Sequence, residues 1–251
     1  IKKILRVEDE KSLREFLYHE LSYSYKIITA ENGKEGIHYA QAELPDLILS
    51  DVMMPEVDGI ELCKVLKNNE ATSHIPIIML TAKKTQEDEF ESLKAGADDF
   101  IPKPFSIENL ILKIKNIIQS RIHLQQKIAG KIDVKPSEIK INSIDRQIID
   151  KATKIVEEHI GNIDFDVDAF SKEMAMSKTV LFNKLKALTG LSATGFIRVI
   201  RLKRAAQLLR EGQLGVSEVS SMVGFKNRNY FTQRFTEFYE VSPSDYKQIK
   251  A

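Results

Sequence analysis

Residues 47–59 read LILSDVMMPEVDG: an apolar run, Leu47–Ser50, that ends on Asp51 and opens into a loop carrying a proline. A run of strand length that is apolar almost throughout suits a strand covered on both faces, as in a parallel sheet. Outward from it the same unit recurs. Further apolar runs lie at Ile4–Val7, Ile27–Ala30, Pro76–Leu80 and Asp99–Ile101. The segments between and after them carry helical spacing, as at Leu13, Phe16, Leu17 and Leu21, at Phe90, Leu93 and Lys94, and at Leu110, Ile111, Ile114 and Ile117. Five strand–helix units in the first 120 residues predict an α/β domain, a five-stranded parallel sheet wound with helices on both faces. In such a fold ligands collect at the carboxyl ends of the strands.

Those ends carry the chemistry. The first run leads into Glu8-Asp9, the third into Asp51, the fourth into Thr81-Ala82 and the fifth into Lys103-Pro104. Three carboxylates brought together repel one another and need a cation between them, and hard oxygen donors suit Mg²⁺. A lysine and a hydroxyl beside the same carboxylate are the parts that hold a phosphoryl group placed on it. Asp51 would be the nucleophile, with the metal and Lys103 neutralising charge on the transferring oxygens. Acidic residues also follow strands as helix caps, so Asp9 alone reads either way. Four matched strand ends together point to a site.

VEDE at Val7–Glu10, SDVMMPEVDGIELC at Ser50–Cys63, LTA at Leu80–Ala82 and KPF at Lys103–Phe105 closely resemble the receiver domain of two-component response regulators. The resemblance spans residues 1–120 and implies a doubly wound, flavodoxin-like sheet. It implies phosphorylation of Asp51 by a histidine kinase, and Mg²⁺ held by Glu8, Asp9, Asp51 and the backbone carbonyl of Met53. It also implies that Thr81 and Lys103 contact the phosphoryl oxygens, that Thr81 and Phe100 form the switch pair, and that the Lys103–Pro104 peptide is cis. Arg6 stands in the first strand where the family prefers an aliphatic residue. Burial without a partner is costly, so Arg6 is expected at a strand end, paired with a carboxylate, or snorkelling.

Composition closes off other classes. Of 251 residues, 43% are hydrophobic and 29% charged, which excludes wholesale disorder and fibrous chains. The single cysteine, Cys63, rules out an intramolecular disulfide and fits a reducing, cytoplasmic setting. No apolar run approaches the ~20 residues that span a bilayer. The chain opens at Ile1 with no signal peptide ahead of the first strand, and reads as the tail of something longer or as a processed chain. A net charge of +1 conceals an asymmetry: −6 over residues 1–120 and +7 over 121–251, with +8 in 171–251 alone. An acidic cation site joined to a module that meets polyanions fits that split.

Residues 121–145 read as a connector: Gly130 ends the last helix of the first domain, and Ile-rich pieces at Lys131–Val134, Glu138–Ile141 and Ile144 form a partly ordered strap. His123 reads as an exposed side chain, neither a ligand nor a phosphorelay histidine. From 146 to 251 no strand is expected. Amphipathic stretches at Arg146–His159, Val167–Met174, Lys178–Leu188, Thr194–Glu211, Val216–Val223, Arg228–Tyr239 and Pro243–Ile249 predict an all-α domain. Twice a short helix is followed by a tight break and a helix rich in Lys, Arg, Asn, Gln and Thr, the pattern of a helix-turn-helix. The spine between the pairs, 18 residues and about 27 Å long, nearly matches the ~34 Å between successive major-groove faces.

LTG at Leu188–Gly190, FIRVIRLKRAAQLL at Phe196–Leu209, VGF at Val223–Phe225, YFTQRF at Tyr230–Phe235 and VSPSDY at Val241–Tyr246 resemble the AraC/XylS family of DNA-binding domains. The resemblance implies transcription regulation by two helices docked in adjacent grooves of promoter DNA. By position in the family, Thr179, Phe182 and Asn183 face bases from the first recognition helix, and Arg228, Asn229 and Gln233 from the second. Arg and Asn or Gln suit guanine and adenine, whereas Phe182 reads a thymine methyl or simply packs. Lys178, Lys184, Lys186, Lys226, Thr232 and Arg234 are expected at phosphates. Phe225, Tyr230, Phe231, Phe235 and Phe238 are expected mostly in the core. Ser171 and Ser220 replace a common alanine. Glu240 replaces a common glycine, so the last recognition helix is expected to end without a left-handed cap there.

Joined, the halves predict a cytoplasmic, non-enzymatic transcription factor. Its partners would be a cognate histidine kinase and promoter DNA. On phosphorylation it would form a homodimer through the helices after the fourth and fifth strands. The alternative, suggested by the absent start methionine and the order of the two domains, is the receiver-plus-DNA-binding end of a hybrid sensor kinase; with no ATP-binding motif or phosphoacceptor-histidine helix, these residues would themselves be no kinase.

Overall fold

The computed structural model of the chain describes residues 1–82, 93–128 and 142–250. Two compact units divide them, one built on residues 1–124 and the other on 146 onward. In the first, strands β1 (Lys3–Val7), β2 (Lys26–Ala30), β3 (Leu47–Asp51), β4 (Ile77–Thr81) and β5 (Asp99–Pro102) are all parallel, in the order β2-β1-β3-β4-β5. The helices are α1 (Lys11–Ser22), α2 (Gly33–Glu43), α3 (Gly59–Asn68) and α4 (Ile107–Ile128). The pleat sends Leu5, Val7, Ile48, Ile77 and Met79 into a core with Ala40 of α2 and Leu62 and Leu66 of α3. It sends Ile4, Leu47, Leu49, Ile78 and Leu80 to the opposite face, against Leu17 and Leu21 of α1 and Leu110 and Ile114 of α4. Both faces are covered, so the central strands are apolar at nearly every position rather than alternating.

Strand register sets the positions of the acidic residues. Val7 of β1 stands opposite Ser50 of β3, and Asp51 opposite Leu80. The next residues along these strands, Glu8, Asp51 and Thr81, therefore emerge side by side at one end of the sheet. Asn32 and Asp58 cap α2 and α3, each accepting a backbone N–H of the first turn. Helix α4 runs past Ile122 to Ile128. The expected stop at Gly130 and the Ile-rich pieces at 131–134 and 138–141 lie outside the described residues, as does Phe90. Ile144 is helical rather than part of a strap.

The second unit contains α5 (Ser143–Glu158), α6 (Val167–Met174), α7 (Lys178–Thr189), α8 (Ala193–Arg210), α9 (Val216–Met222), α10 (Arg228–Tyr239) and α11 (Pro243–Lys250), with no strand among the described residues. Helices α6 and α7 are joined through Ala175, which is left-handed at φ 58°, and Ser177 caps α7 through the Val180 N–H. Helices α9 and α10 are joined through Gly224 at φ 76°. A Cβ at Gly224 would lie 2.7 Å from the Ile160 carbonyl, so the tight approach as well as the angle demands glycine. The 18-residue α8 is the spine, burying Phe196, Ile197, Leu202, Ala205 and Leu209. Phe225, Phe231, Phe235 and Tyr246 pack around its far half.

At the end of α10 the expectation fails. Glu240 is left-handed, at φ 63°, and its N–H donates to the Thr236 carbonyl. The chain must reverse before the turn into α11 whichever residue stands there, and Glu240 adopts the angle at a steric cost of roughly 1–2 kcal/mol.

Candidate functional site

Glu8 and Asp9 follow β1, Asp51 ends β3, and Lys103 follows β5. One oxygen from each of the three carboxylates lies within 4.8 Å of the others. The Lys103 ammonium stands between two of them, its Nζ 2.7 Å from Asp51 Oδ2 and 3.2 Å from Glu8 Oε2. Glu8 is fully buried, and burial followed by the Asp51 charge pushes its carboxyl above the usual range. Burial also works against the charge on Lys103, but the hydrogen bond and charge of Asp51, and then Glu8, outweigh it and raise the ammonium. The arrangement is a cavity of negative charge held closed by one cation. Its hard, crowded oxygens fit a divalent ion such as Mg²⁺.

Asp9 is not serving as a helix cap: Glu10 stands at that position of α1, with no side-chain capping bond. The Met53 N–H donates to Asp51 Oδ1 at 3.3 Å, which places the Met53 peptide beside the acid. Thr81 is buried at the end of β4, and its carbonyl accepts the Lys103 N–H at 2.6 Å. The Lys103–Pro104 peptide is cis. Phe100 stands apart from this group, opposite Met79 on β5 and half-buried against the core under α2 and α3.

In the second unit Lys178, Thr179, Phe182 and Lys186 are exposed along α7, with Asn183 half-buried between them. Phe182 is 47% exposed and is not a core residue. Lys184 departs from expectation: it is buried, because it shares the inward face of α7 with Leu181, Leu185 and Leu188 and cannot reach a phosphate from there. Along α10, Arg228, Asn229 and Gln233 are exposed, Thr232 and Arg234 are half-buried, and Lys226 is exposed in the turn before them. Several are engaged on the surface: Lys178 with Asp168 at 2.5 Å, Lys226 with Asp164 at 3.0 Å, and Gln233 and Arg234 both with Glu237. Exposed pairs of this kind are worth little and exchange readily for another anion. Tyr230 also departs from expectation. It is 42% exposed, with the Arg234 guanidinium over its ring and the Arg198 guanidinium at its hydroxyl.

The profile of the response regulator receiver domain matches residues 4–115, and that of a helix-turn-helix domain matches residues 170–249. The chain is 37% identical over 179 residues to the alkaline phosphatase synthesis transcriptional regulatory protein PhoP of Bacillus subtilis, spanning 71% of this chain and 67% of that one. The chain belongs to the response-regulator family. Its receiver domain is followed by an AraC-type helix-turn-helix domain. A protein of Formosa agariphila named Histidine kinase P4 is 47% identical over 244 residues, which is 97% of this chain but only 18% of that protein's length. Among solved structures, the signal receiver domain of a signal transduction histidine kinase from Syntrophus aciditrophicus is 39% identical, with a TM-score of 0.46, covering 48% of this chain and 92% of that one.

Three arginines frame these sites in ways the sequence did not announce. In the receiver, Arg14 of α1 donates through Nη1 to the carbonyls of Glu8 and Asp9, at 2.9 and 3.1 Å, and through Nη2 to Glu31 at 2.6 Å. It thereby ties down the turn that carries two of the acids. Arg6 lies inside β1, fully buried, and donates to the Arg14 carbonyl. Among the described residues none accepts from its Nε or Nη2. The expectation of a strand-end, carboxylate-paired or snorkelling Arg6 is therefore wrong: β1 alternation with Ile4 aims it under α1, and burial lowers its guanidinium to about 10. In the helix-turn-helix domain, Arg201 of α8 donates to the Gly224 carbonyl at 3.0 Å and to the Asn162 carbonyl at 2.5 Å. One spine residue thus fastens the entry to the first helix pair and the turn of the second. No local feature of the sequence marks these contacts, because both partners are main-chain carbonyls.

Proposed function

We propose that the chain is a phosphorylation-dependent DNA-binding transcription regulator, with Asp51 the phosphoacceptor. The observation that carries this reading is the Lys103 ammonium bridging Asp51 and Glu8 at 2.7 and 3.2 Å, beside Asp9. An Asp51 carboxylate oxygen attacks the phosphorus of a kinase phosphohistidine; the P–O bond forms as the P–N bond breaks, and the imidazole leaves. Glu8, Asp9, Asp51 and the Met53 carbonyl would hold Mg²⁺, which when bound neutralises charge on the transferring oxygens. Lys103 turns from the free carboxylate to a phosphoryl oxygen, and the Thr81 hydroxyl moves to another. The vacated space takes the Phe100 ring. The added charge, about −1.5 to −2, thereby reaches the face of α4 and the segment before β5, where two receivers pair.

Pairing sets two helix-turn-helix domains on neighbouring DNA sites and raises the effective concentration of the second. Thr179, Phe182, Asn183, Arg228, Asn229 and Gln233 read bases, while Lys178, Lys186, Lys226, Thr232 and Arg234 hold phosphates. The division proposed is receiver 1–120, connector 121–145 and DNA-binding domain 146–251, in a cytoplasmic protein that is a regulator rather than an enzyme. Among the described residues no helix is long and apolar enough to cross a membrane. A second reading is favoured by the 97% coverage of this chain in Histidine kinase P4: the same two domains at one end of a hybrid sensor kinase.

The test is a promoter-fragment shift assay with and without beryllofluoride and Mg²⁺. Treated wild type binds more tightly, and Asp51→Asn does not respond. Equal binding by the treated wild type and the variant overturns the proposal.

A further inference from the structure

The helix-turn-helix domain contains a cavity of about 360 Å³ that shares only Lys226 with the residues proposed to contact DNA. Its walls come from three places: the entry to α6 (Ile163, Phe165, Val167), the first half of α8 (Thr194, Ile197, Arg198, Arg201), and the turn into α10 (Gly224 to Asn227, with Tyr230). The volume falls in the range of small-molecule sites, which are typically apolar with a few convergent polar groups. That is the lining here.

Phe165 and Phe225 are buried, whereas Ile163 and Tyr230 are each 42% exposed and stand on the cavity lining. Three cations, Arg198, Arg201 and Lys226, share the lining with one carboxylate, Asp166. One oxygen of Asp166, Oδ1, accepts the N–H groups of Ala169 and Asp168 at the start of α6. The cations keep capacity. Among the described residues Arg198, with five possible donors, makes one long bond, 3.4 Å, to the Tyr230 hydroxyl, and nothing accepts from the buried Nε of Arg201. Among the described residues Lys226 is held by an exposed pair with Asp164.

We propose that this cavity binds a small amphipathic organic anion, its apolar body against Ile163, Phe165, Ile197 and Phe225 and its carboxylate or sulfonate at Arg198 and Lys226. A bare phosphate would satisfy the cations and leave the apolar wall wet, so the wall decides between the two. Because the cavity joins the spine to the first residues of α10, an occupant braces the second recognition helix. Its affinity and that of DNA are then linked reciprocally.

The probe is 1-anilinonaphthalene-8-sulfonate, an amphipathic anion whose fluorescence rises when it leaves water. The dye should bind saturably, one per chain, and decanoate should displace it. Its uncharged analogue N-phenyl-1-naphthylamine should bind more weakly. Arg198→Ala, which removes a charge-assisted donor, should weaken the dye by about tenfold or more. Ile163→Trp, at an exposed position, should fill the cavity and block the dye even if Arg198→Ala fails to fold; circular dichroism checks both variants. The proposal is overturned if no saturable binding occurs, if the uncharged analogue binds equally well, or if both folded variants bind like wild type. It is also overturned if inorganic phosphate or duplex DNA, at matched anion concentration, displaces the dye as well as decanoate does, since the cavity is then part of the phosphate-facing surface.

Discussion

Lys103→Met removes the ammonium from between Glu8 and Asp51 while keeping an unbranched stem of similar length. With one oxygen of each acid no more than 4.8 Å apart, the two charges repel by about 3.5 kcal/mol or more at an effective dielectric near 20. The protein has one escape, which is to keep Glu8 protonated, the direction in which burial and Asp51 already push it. Holding neutral at pH 7 a carboxyl that titrates near 4.3 when unfolded costs at most about 3.7 kcal/mol. The two routes agree, so the variant should lose about 3–4 kcal/mol at pH 7 in the presence of a chelator.

A carboxyl raised in the folded state is a penalty above its unfolded pKa, and the penalty disappears as pH falls toward that value. At pH 5 the same ceiling is only about 1 kcal/mol. The assay is pulsed alkylation of Cys63 against urea on the full chain. Cys63 is the only cysteine and is fully buried in the receiver core, so its labelling reports unfolding of that unit alone. Saturating Mg²⁺ should restore most of the loss by supplying the missing charge, and Asp51→Asn in the Lys103→Met background should restore most of it in chelator. A variant as stable as wild type at pH 7, or one whose cost is equal at pH 5 and pH 7 and equal with and without Mg²⁺, refutes the reasoning.

Gly59→Ala places a Cβ 2.1 Å from the Asp51 carbonyl oxygen. Backbone must shift, and a loss above about 2 kcal/mol in the same alkylation assay is expected. Arg14→Ala frees the Glu8 and Asp9 carbonyls and should weaken Mg²⁺ by about tenfold, read from amide NMR shifts on titration; Arg14→Lys should recover little, because an ammonium lacks the fork that spans two carbonyls and Glu31. Glu240→Gly relieves the left-handed strain at the end of α10 and should raise stability of the second unit by up to about 1 kcal/mol in thermal unfolding. The buried Cys63 thiol is pushed up to about 11. Receiver stability should be flat below the ordinary thiol value and fall by at most about 3 kcal/mol as pH climbs from there to 11, a fall absent in Cys63→Ala when both are followed by hydrogen exchange.

The strands are legible in the sequence because burial on both faces leaves its mark on every residue: Leu47–Leu49 and Ile77–Leu80 could hardly be anything else. The acid pocket is legible for a related reason. A parallel sheet places all its strand ends on one side, so topology alone brings Glu8, Asp51 and Thr81 together once the strands are placed. Lys184 is misread when its charge is weighed above its phase, although Leu181, Leu185 and Leu188 already mark the inward face of α7. Glu240 is misread for the opposite reason, when residue type is taken to decide a backbone angle that the neighbouring turn imposes. The Arg201 contacts have no local signal. Its partners lie 23 and 39 positions away, and both are backbone carbonyls that every residue possesses.

Each unit uses an arginine to span two main-chain carbonyls at the turn on which the chemistry depends: Arg14 at Glu8 and Asp9, Arg201 at Asn162 and Gly224. Carbonyls accept from the guanidinium without cancelling its charge. Rigidity and positive potential therefore arrive together. The one carboxylate on Arg14, Glu31, is 65% exposed, so solvent screens it and it offsets little of that potential. In the receiver that positive charge stands at the turn that carries Glu8 and Asp9. In the second unit the same residual charge lies at the turn that leads into α10, the helix proposed to meet DNA. Buried carboxylates in place of these carbonyls would have fixed the turns equally well and forfeited the field, which is a physical reason for main-chain oxygens to take the place of a salt bridge.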